Sequence, residues 1–248
     1  MWQVMGRQQW WGRCLAGVAV VAVAGCTALD EGTSVAPPDD KASESSSGAS
    51  RSPAGDGPAG PGDGTLPGVP TAEAARTELA GLKVAAHGSM AGYSRDRFSH
   101  WSAQGENCDT RETVLERDGT GVKRDDECRA VSGKWVSVYD DKTLSDASEL
   151  DIDHMVPLAN AWRSGADTWG DDERKAFAND LTHPQLLAVT ASSNRSKGDQ
   201  GPDEWQPPAK TYWCTYGRAW TSVKDTYELT VTEAEKDMLT EMLDTCTS

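Results

Sequence analysis

Residues 151–157 read Asp151-Ile152-Asp153-His154-Met155-Val156-Pro157, and residues 194–199 read Asn194-Arg195-Ser196-Lys197-Gly198-Asp199. The first stretch closes a short strand over 150–156 that Pro157 ends, because proline has no amide donor for a ladder. Residues 185–190 form a second apolar run, and 191–197 form a short helix stopped at Gly198. If the Asp-His strand and the Asn-bearing helix pack together, their side chains make a chemical set. Asp153 offers a hard anionic oxygen and Asn194 a neutral carbonyl oxygen, a pair that suits one Mg²⁺ or Mn²⁺. His154 is neutral near pH 7 and accepts a proton from water. A metal beside a phosphate stabilises its crowded oxygens and the leaving 3′-oxygen. Arg195 and Lys197 add positive charge near the phosphate. This is a toolkit for one-metal phosphodiester hydrolysis. Neighbours on a regular strand point to opposite faces, so Asp153 and His154 share a site only if the strand bends or ends there.

Each of these residues also has a plainer reading. Asn194 can be an ordinary helix residue, and Lys197 a solvated helix end. Asp151 reads as a strand-face acid behind the ligands rather than a ligand. His183, before Pro184, reads as a loop residue or a support for His154. His87 and His100 fall outside the pattern. Trp205, Trp213 and Trp220 can stack on bases but are expected in the core.

Charge locates the site. The 248 residues carry 24 Lys+Arg against 39 Asp+Glu, net −15, with mean hydropathy −0.59. That excludes a multi-span membrane protein and a basic coat that grips nucleic acid over a wide footprint. The deficit is uneven: residues 26–80 hold 3 bases and 9 acids, and 221–248 hold 2 and 7. Residues 194–220 hold 4 bases and 3 acids, so a polyanion site is expected in the second half, away from the last helix. Affinity for a nucleic acid should then fall only shallowly as salt rises.

The N-terminus explains the early acidity. Arg7 and Arg13 precede a ten-residue apolar run, 15–24, too short to span a bilayer as a helix. Val23-Ala24-Gly25-Cys26 then resembles a bacterial lipobox, with Cys26 the lipidated first residue. An ordinary secretory cleavage is the alternative. Residues 27–70 contain no aromatic residue and are crowded with Ser, Gly, Pro, Ala and Asp. They cannot bury enough apolar surface to offset ordering entropy. The expected organisation is a signal at 1–25, a flexible tether at 26–70 and one folded domain at 71–248. The product is exported, either held on the outer face of the membrane by its lipid or secreted. No transmembrane span remains in the mature chain.

With Cys14 in the signal and Cys26 at the anchor, Cys108, Cys128, Cys214 and Cys246 remain. An even set in an exported domain implies two disulfides, with three possible connectivities. Cys108–Cys128 and Cys214–Cys246 are favoured because each pair brackets a local unit. A four-thiolate zinc site is the rival, without the usual C-x2-C spacing. Elsewhere, helices are expected over 71–84, 109–117 with Asp109 as N-cap, 157–164, 171–179, 208–225 and 233–245. Thr232 and Glu235 form a capping box for the last, whose acids read as a solvated face. Ser132-Gly133 reads as the turn of a small hairpin within 128–139.

Taken together, Asp-Ile-Asp-His-Met-Val-Pro and the later Asn-Arg-Ser-Lys-Gly-Asp resemble the ββα-metal motif of HNH (His-Me finger) endonucleases. The surroundings, including Cys108-Asp109-Thr110-Arg111 and Asp203-Glu204-Trp205, resemble the C-terminal domain of GmrSD-type restriction endonucleases, and within it an exported actinobacterial subgroup. The resemblance covers about 90–245. It implies an α+β fold: a ββα-metal core with flanking helices and a small hairpin, stapled by disulfides. It implies Asp153 and Asn194 as ligands of one Mg²⁺ or Mn²⁺ rather than Zn²⁺, His154 as general base, and DNA as the substrate, with RNA the alternative. The family's middle Asn, which orients the loop backbone near the histidine, has its place taken here by His183, a departure from the family pattern. Asp109 and Arg111 are either supports of the site or a structural ion pair beside a disulfide. A catalytically silent surface-binding module on the same scaffold is the alternative, and the joint presence of Asp153, His154 and Asn194 speaks against it.

Overall fold

The structure, a computed structural model, describes residues 66–247. The expected signal, the expected lipid-anchor residue Cys26 and nearly all of the expected tether lie outside these residues. The folded part begins ahead of 71, since Leu66 and Val69 already pack against the main core.

The first helix, α1 (Ala72–Gly81), is capped by Thr71, whose hydroxyl accepts from the Ala74 amide. Strands β1 (Ala103–Gly105) and β2 (Cys108–Asp109) form a small ribbon. Helix α2 (Thr110–Asp118) follows, with Asp109 as N-cap accepting from Glu112 N. Strands β3 (Gly119–Arg124), β4 (Ala130–Ser137) and β5 (Lys142–Leu144) make an antiparallel sheet in that order. Strand β6 (Leu150–His154) leads to α3 (Leu158–Arg163) and α4 (Asp171–Ala178). Strand β7 (Leu186–Thr190) returns antiparallel to β6 and runs straight into α5 (Ala191–Lys197). Helices α6 (Trp213–Thr226) and α7 (Glu233–Asp244) close the chain and pack with α1. The fold is α+β with small sheets.

Two expectations fail for packing reasons. Ser132-Gly133 is not a turn: it lies within β4, paired to β3. The turn is at 125–129, where Asp125 Oδ1 accepts from the amides of Glu127 and Arg129. Gly133 is needed because a Cβ there would sit 2.5 Å from the Trp135 ring. The last helix is not wholly solvated either. Glu235 is buried, takes the Trp220 indole N–H at 2.6 Å and pairs with the buried Lys224 at 3.1 Å. Its role as the acidic half of the capping box with Thr232 is as expected.

The β6–β7 pair is buried on both faces, which explains its apolar runs. Leu150, Ile152, Leu186 and Ala188 face a core that includes Trp135. Leu187 and Val189 join the main core around Trp220 and Tyr216. In this register Asp153 is opposite Leu187 and His154 opposite Leu186. Both disulfides are the favoured ones, Cys108–Cys128 and Cys214–Cys246. The second fastens the start of α6 to the residues after α7, whose close approach at Gly217 leaves no room for a Cβ against Met242.

Candidate active site

Strand β6 ends at His154, which resolves the opposite-faces problem. Asp153 and His154 line the same cavity, about 60 Å³, with Arg95, Ile152, Pro157, Leu158, Asn194 and Gly198. Helix α5 brings Asn194 to it, because Gly198, at φ +56°, ends that helix where the chain must turn.

His154 is buried, and its Nε2 lies 3.0 Å from the Ala178 carbonyl. A carbonyl only accepts, so Nε2 carries the proton and Nδ1 keeps its lone pair. Nδ1 has no hydrogen bond among the described residues. The ring stacks on Trp101 at 6.0 Å and 28°. Trp101 holds a left-handed backbone, φ 60°, to reach this place. Burial pulls the imidazole pKa down to about 3, against the Ala178 hydrogen bond and with help from the charges of Arg95, His100 and Lys197. The imidazole is therefore neutral at ordinary pH.

Asp153 is also buried. Its Oδ2 accepts from Tyr139 OH at 2.6 Å and from Lys197 Nζ at 2.5 Å. Burial pushes the Tyr139 hydroxyl pKa well up, so it stays a donor. Lys197 does not reach toward a phosphate, as the sequence suggested, and it is not a solvated helix end. It is fully buried, and Nζ also donates to the carbonyls of His154 (2.8 Å) and Met155 (2.9 Å). Three acceptors require three N–H donors, so the ammonium form is the one that fits. Burial pushes the Asp153 carboxyl up and the Lys197 ammonium down, and their mutual attraction opposes both.

Asn194 donates from Nδ2 to Asp151 Oδ2 at 3.1 Å, which aims its Oδ1 away from that acid. Arg195, 76% exposed, also faces Asp151, at 3.8 Å. Asp151 thus orients Asn194, as an acid behind the pair. Asp153 Oδ1 and Asn194 Oδ1 accept no hydrogen bond among the described residues. Two hard oxygens on a small polar cavity fit a hydrated Mg²⁺ or Mn²⁺. No group of three or more His, Cys, Asp or Glu side chains is placed to hold a metal among the described residues, so a closed zinc site is not present there.

His183 does not hold the loop after His154. Its Nδ1 bonds Asp180 Oδ2 at 2.7 Å, and Tyr227 OH bonds the same oxygen at 2.8 Å. The loop is held by Gln185, fully buried directly before Leu186. Its side chain accepts from Val156 N at 3.1 Å and donates to Val156 O at 3.0 Å, and its carbonyl accepts from Met155 N at 2.6 Å. The sequence signal was position: Gln185 immediately precedes the Leu-Leu run. Asp109 and Arg111 do not pair with each other. Asp109 caps α2, and Arg111 donates to the carbonyls of Ala147 and Leu150, anchoring the start of β6. Trp220 is core, and Trp205 and Trp213 pack against it. Arg95 was not foreseen, since charge counting pointed to the second half of the chain. His100 lies edge-on to Trp101 at 5.2 Å.

No helix of the described residues is long and apolar enough to cross a membrane. An "Uncharacterized secreted protein" of Arthroderma benhamiae is 55% identical over 182 residues, which cover 73% of this chain and 89% of the relative. That relative is fungal, so a restriction to actinobacterial proteins does not follow from it. No solved structure matches the chain. The family model for GmrSD restriction endonucleases, C-terminal domain, matches residues 109–242, a span that holds Asp153, His154, Gln185, Asn194 and Lys197. With more than half of its length matched, and with that site inside the match, the chain belongs to the family of GmrSD restriction endonuclease C-terminal domains.

Proposed function

We propose that this protein is an exported, metal-dependent endonuclease with a ββα-metal core, hydrolysing phosphodiester bonds of DNA, with RNA the alternative substrate. The observation that carries the reading is one cavity lined by a histidine with a free Nδ1, a carboxylate oxygen and an amide oxygen. Export is supported by the N-terminal sequence and by the secreted description of the fungal relative. Lipidation at Cys26 is part of the proposal.

Nδ1 of His154 takes a proton from a water as that oxygen attacks phosphorus. The bond from phosphorus to the 3′-oxygen breaks, and the leaving oxygen takes a proton from solvent. The ring is held for this by its N–H on Ala178 and by Trp101. Asp153 Oδ1 and Asn194 Oδ1 would hold one Mg²⁺ or Mn²⁺, which when bound supplies positive charge to the phosphate and leaving oxygens. Lys197 and Tyr139 fix Asp153 by its other oxygen, and Gln185 fixes the loop.

The test is incubation of purified protein with plasmid, single-stranded DNA and RNA, with Mg²⁺ or Mn²⁺ and with EDTA. EDTA-sensitive internal cleavage is expected. Intact substrate under every metal condition rejects the reading.

A further inference from the structure

Lys197 is buried and Arg195 faces Asp151, so the basic residues quoted beside Asn194 leave the cavity without a cation of their own. Arg95 fills that place. It lines the cavity with Asp153, His154 and Asn194, and its side chain makes no hydrogen bond or ion pair among the described residues. The neighbouring arginines are engaged. Arg97 lies over the Trp162 ring at 5.2 Å, Arg174 pairs with Asp171, and Arg163 pairs with Asp199.

The backbone under Arg95 is anchored. It opens a 3-10 turn, Arg95–Arg97, and its carbonyl accepts from Phe98 N at 3.0 Å. Phe98 is fully buried among Tyr93, Trp162 and Phe177. Farther along, Asn179 fixes the same segment by donating to Ser99 O and accepting from Ser102 N. An exposed guanidinium on a fixed stem, beside a carboxylate it does not bind, is placed for an incoming anion. Its fork matches two oxygens of one phosphate.

Building on the nuclease reading for the identity of the anion, we propose that Arg95 grips the non-bridging oxygens of the nucleic-acid phosphate at this cavity. It is the substrate-facing cation of the site, in the role the sequence assigned to Lys197.

Binding tests this without cleavage. Fluorescently labelled single-stranded and duplex DNA oligonucleotides are titrated with full-length protein in EDTA over a salt series, with anisotropy as readout. Arg95→Ala is expected to weaken binding about tenfold and to reduce the slope of log K against log salt by about 0.7–0.9, one phosphate contact. Arg95→Lys should keep the slope and recover part of the affinity, lacking the fork. Lys236→Ala on α7 makes the same charge change elsewhere and should leave the slope unaltered. An Arg95→Ala protein with wild-type affinity and slope overturns the proposal, as does equal loss in Lys236→Ala, or wild-type protein that binds neither oligonucleotide. If Arg95→Ala does not fold, Arg95→Gln is read in its place. Arg95-dependent binding without cleavage in Mg²⁺ or Mn²⁺ sinks the nuclease reading and sustains this one. Cleavage with Arg95-independent binding does the reverse.

Discussion

Lys197 Nζ stands 2.5 Å from Asp153 Oδ2, with both side chains shut off from solvent. Removing one partner of a buried ion pair leaves the other charge uncompensated, which costs about 3–5 kcal/mol. Lys197→Met is expected to lose that much stability in urea unfolding, although its chain fills a similar volume. A Lys197→Met protein within 1 kcal/mol of wild type would return Lys197 to a surface role.

His154→Gln removes the lone pair that accepts the proton. Cleavage is expected to fall about 10²–10⁴-fold, the usual weight of general-base catalysis, with near-ultraviolet circular dichroism unchanged. An undiminished rate would exclude His154 as the base.

The His154 pKa also shapes stability against pH. It is lowered from the ordinary 6.5 to about 3 by burial. Between these values the unfolded chain binds a proton that the native state refuses, so stability rises with pH across that window. The contribution is complete above pH 6.5 and disappears as pH falls toward 3. From pH 6.5 to 4.5 wild type should lose roughly 2–3 kcal/mol more than His154→Gln. Parallel melting curves of the two proteins across that range would disprove the shift.

Gln185→Leu strips both partners from the Val156 backbone. Two buried peptide groups left unpaired at about 1–3 kcal/mol each should lower the denaturation midpoint and move His154 out of line. Gln185→Glu keeps the acceptor for Val156 N, and at a pH where its carboxyl is protonated and donates to Val156 O it should retain more stability than Gln185→Leu. Equal stability of the two variants would count against the pairing.

Asn194→Ala removes one of the two free oxygens and leaves Asp151 without its amide. Calorimetric titration with Mn²⁺ should show one site in the wild type and at least tenfold weaker binding in the variant. Unchanged Mn²⁺ affinity would remove Asn194 from the ligand set.

Much of this was legible because the signals are local. Asp109, Thr232 with Glu235, and Gly198 mark helix ends by their own chemistry, and the β6–β7 runs are apolar because both faces are covered. Asp153, His154 and Asn194 could be named as a set from types and order. The fate of Lys197 could not, since a lysine at a helix end is ordinarily solvated; only the meeting of α5 with the end of β6 buries it. Gly133 reads as a turn unless the Trp135 ring over it is known. Gln185 is one uncharged residue in a loop, and its partner is a main-chain group 29 positions away. Arg95 sits 58 residues before Asp153, outside the 194–220 stretch to which charge counting pointed, so the counting passed over it.

Ala178 is the last residue of α4, and its carbonyl lacks a helical partner of the usual kind. That vacant acceptor, at the negative end of the helix dipole, receives the His154 ring proton. The orienting group is thus peptide backbone rather than an aspartate or asparagine side chain. Ala178 orients the ring through its backbone, but its methyl is fully buried in the main core, so a larger residue at 178 would disturb the end of α4. Only a change in where α4 stops would flip the tautomer, which makes a helix end, and not a partner side chain, the heritable setting of this proton.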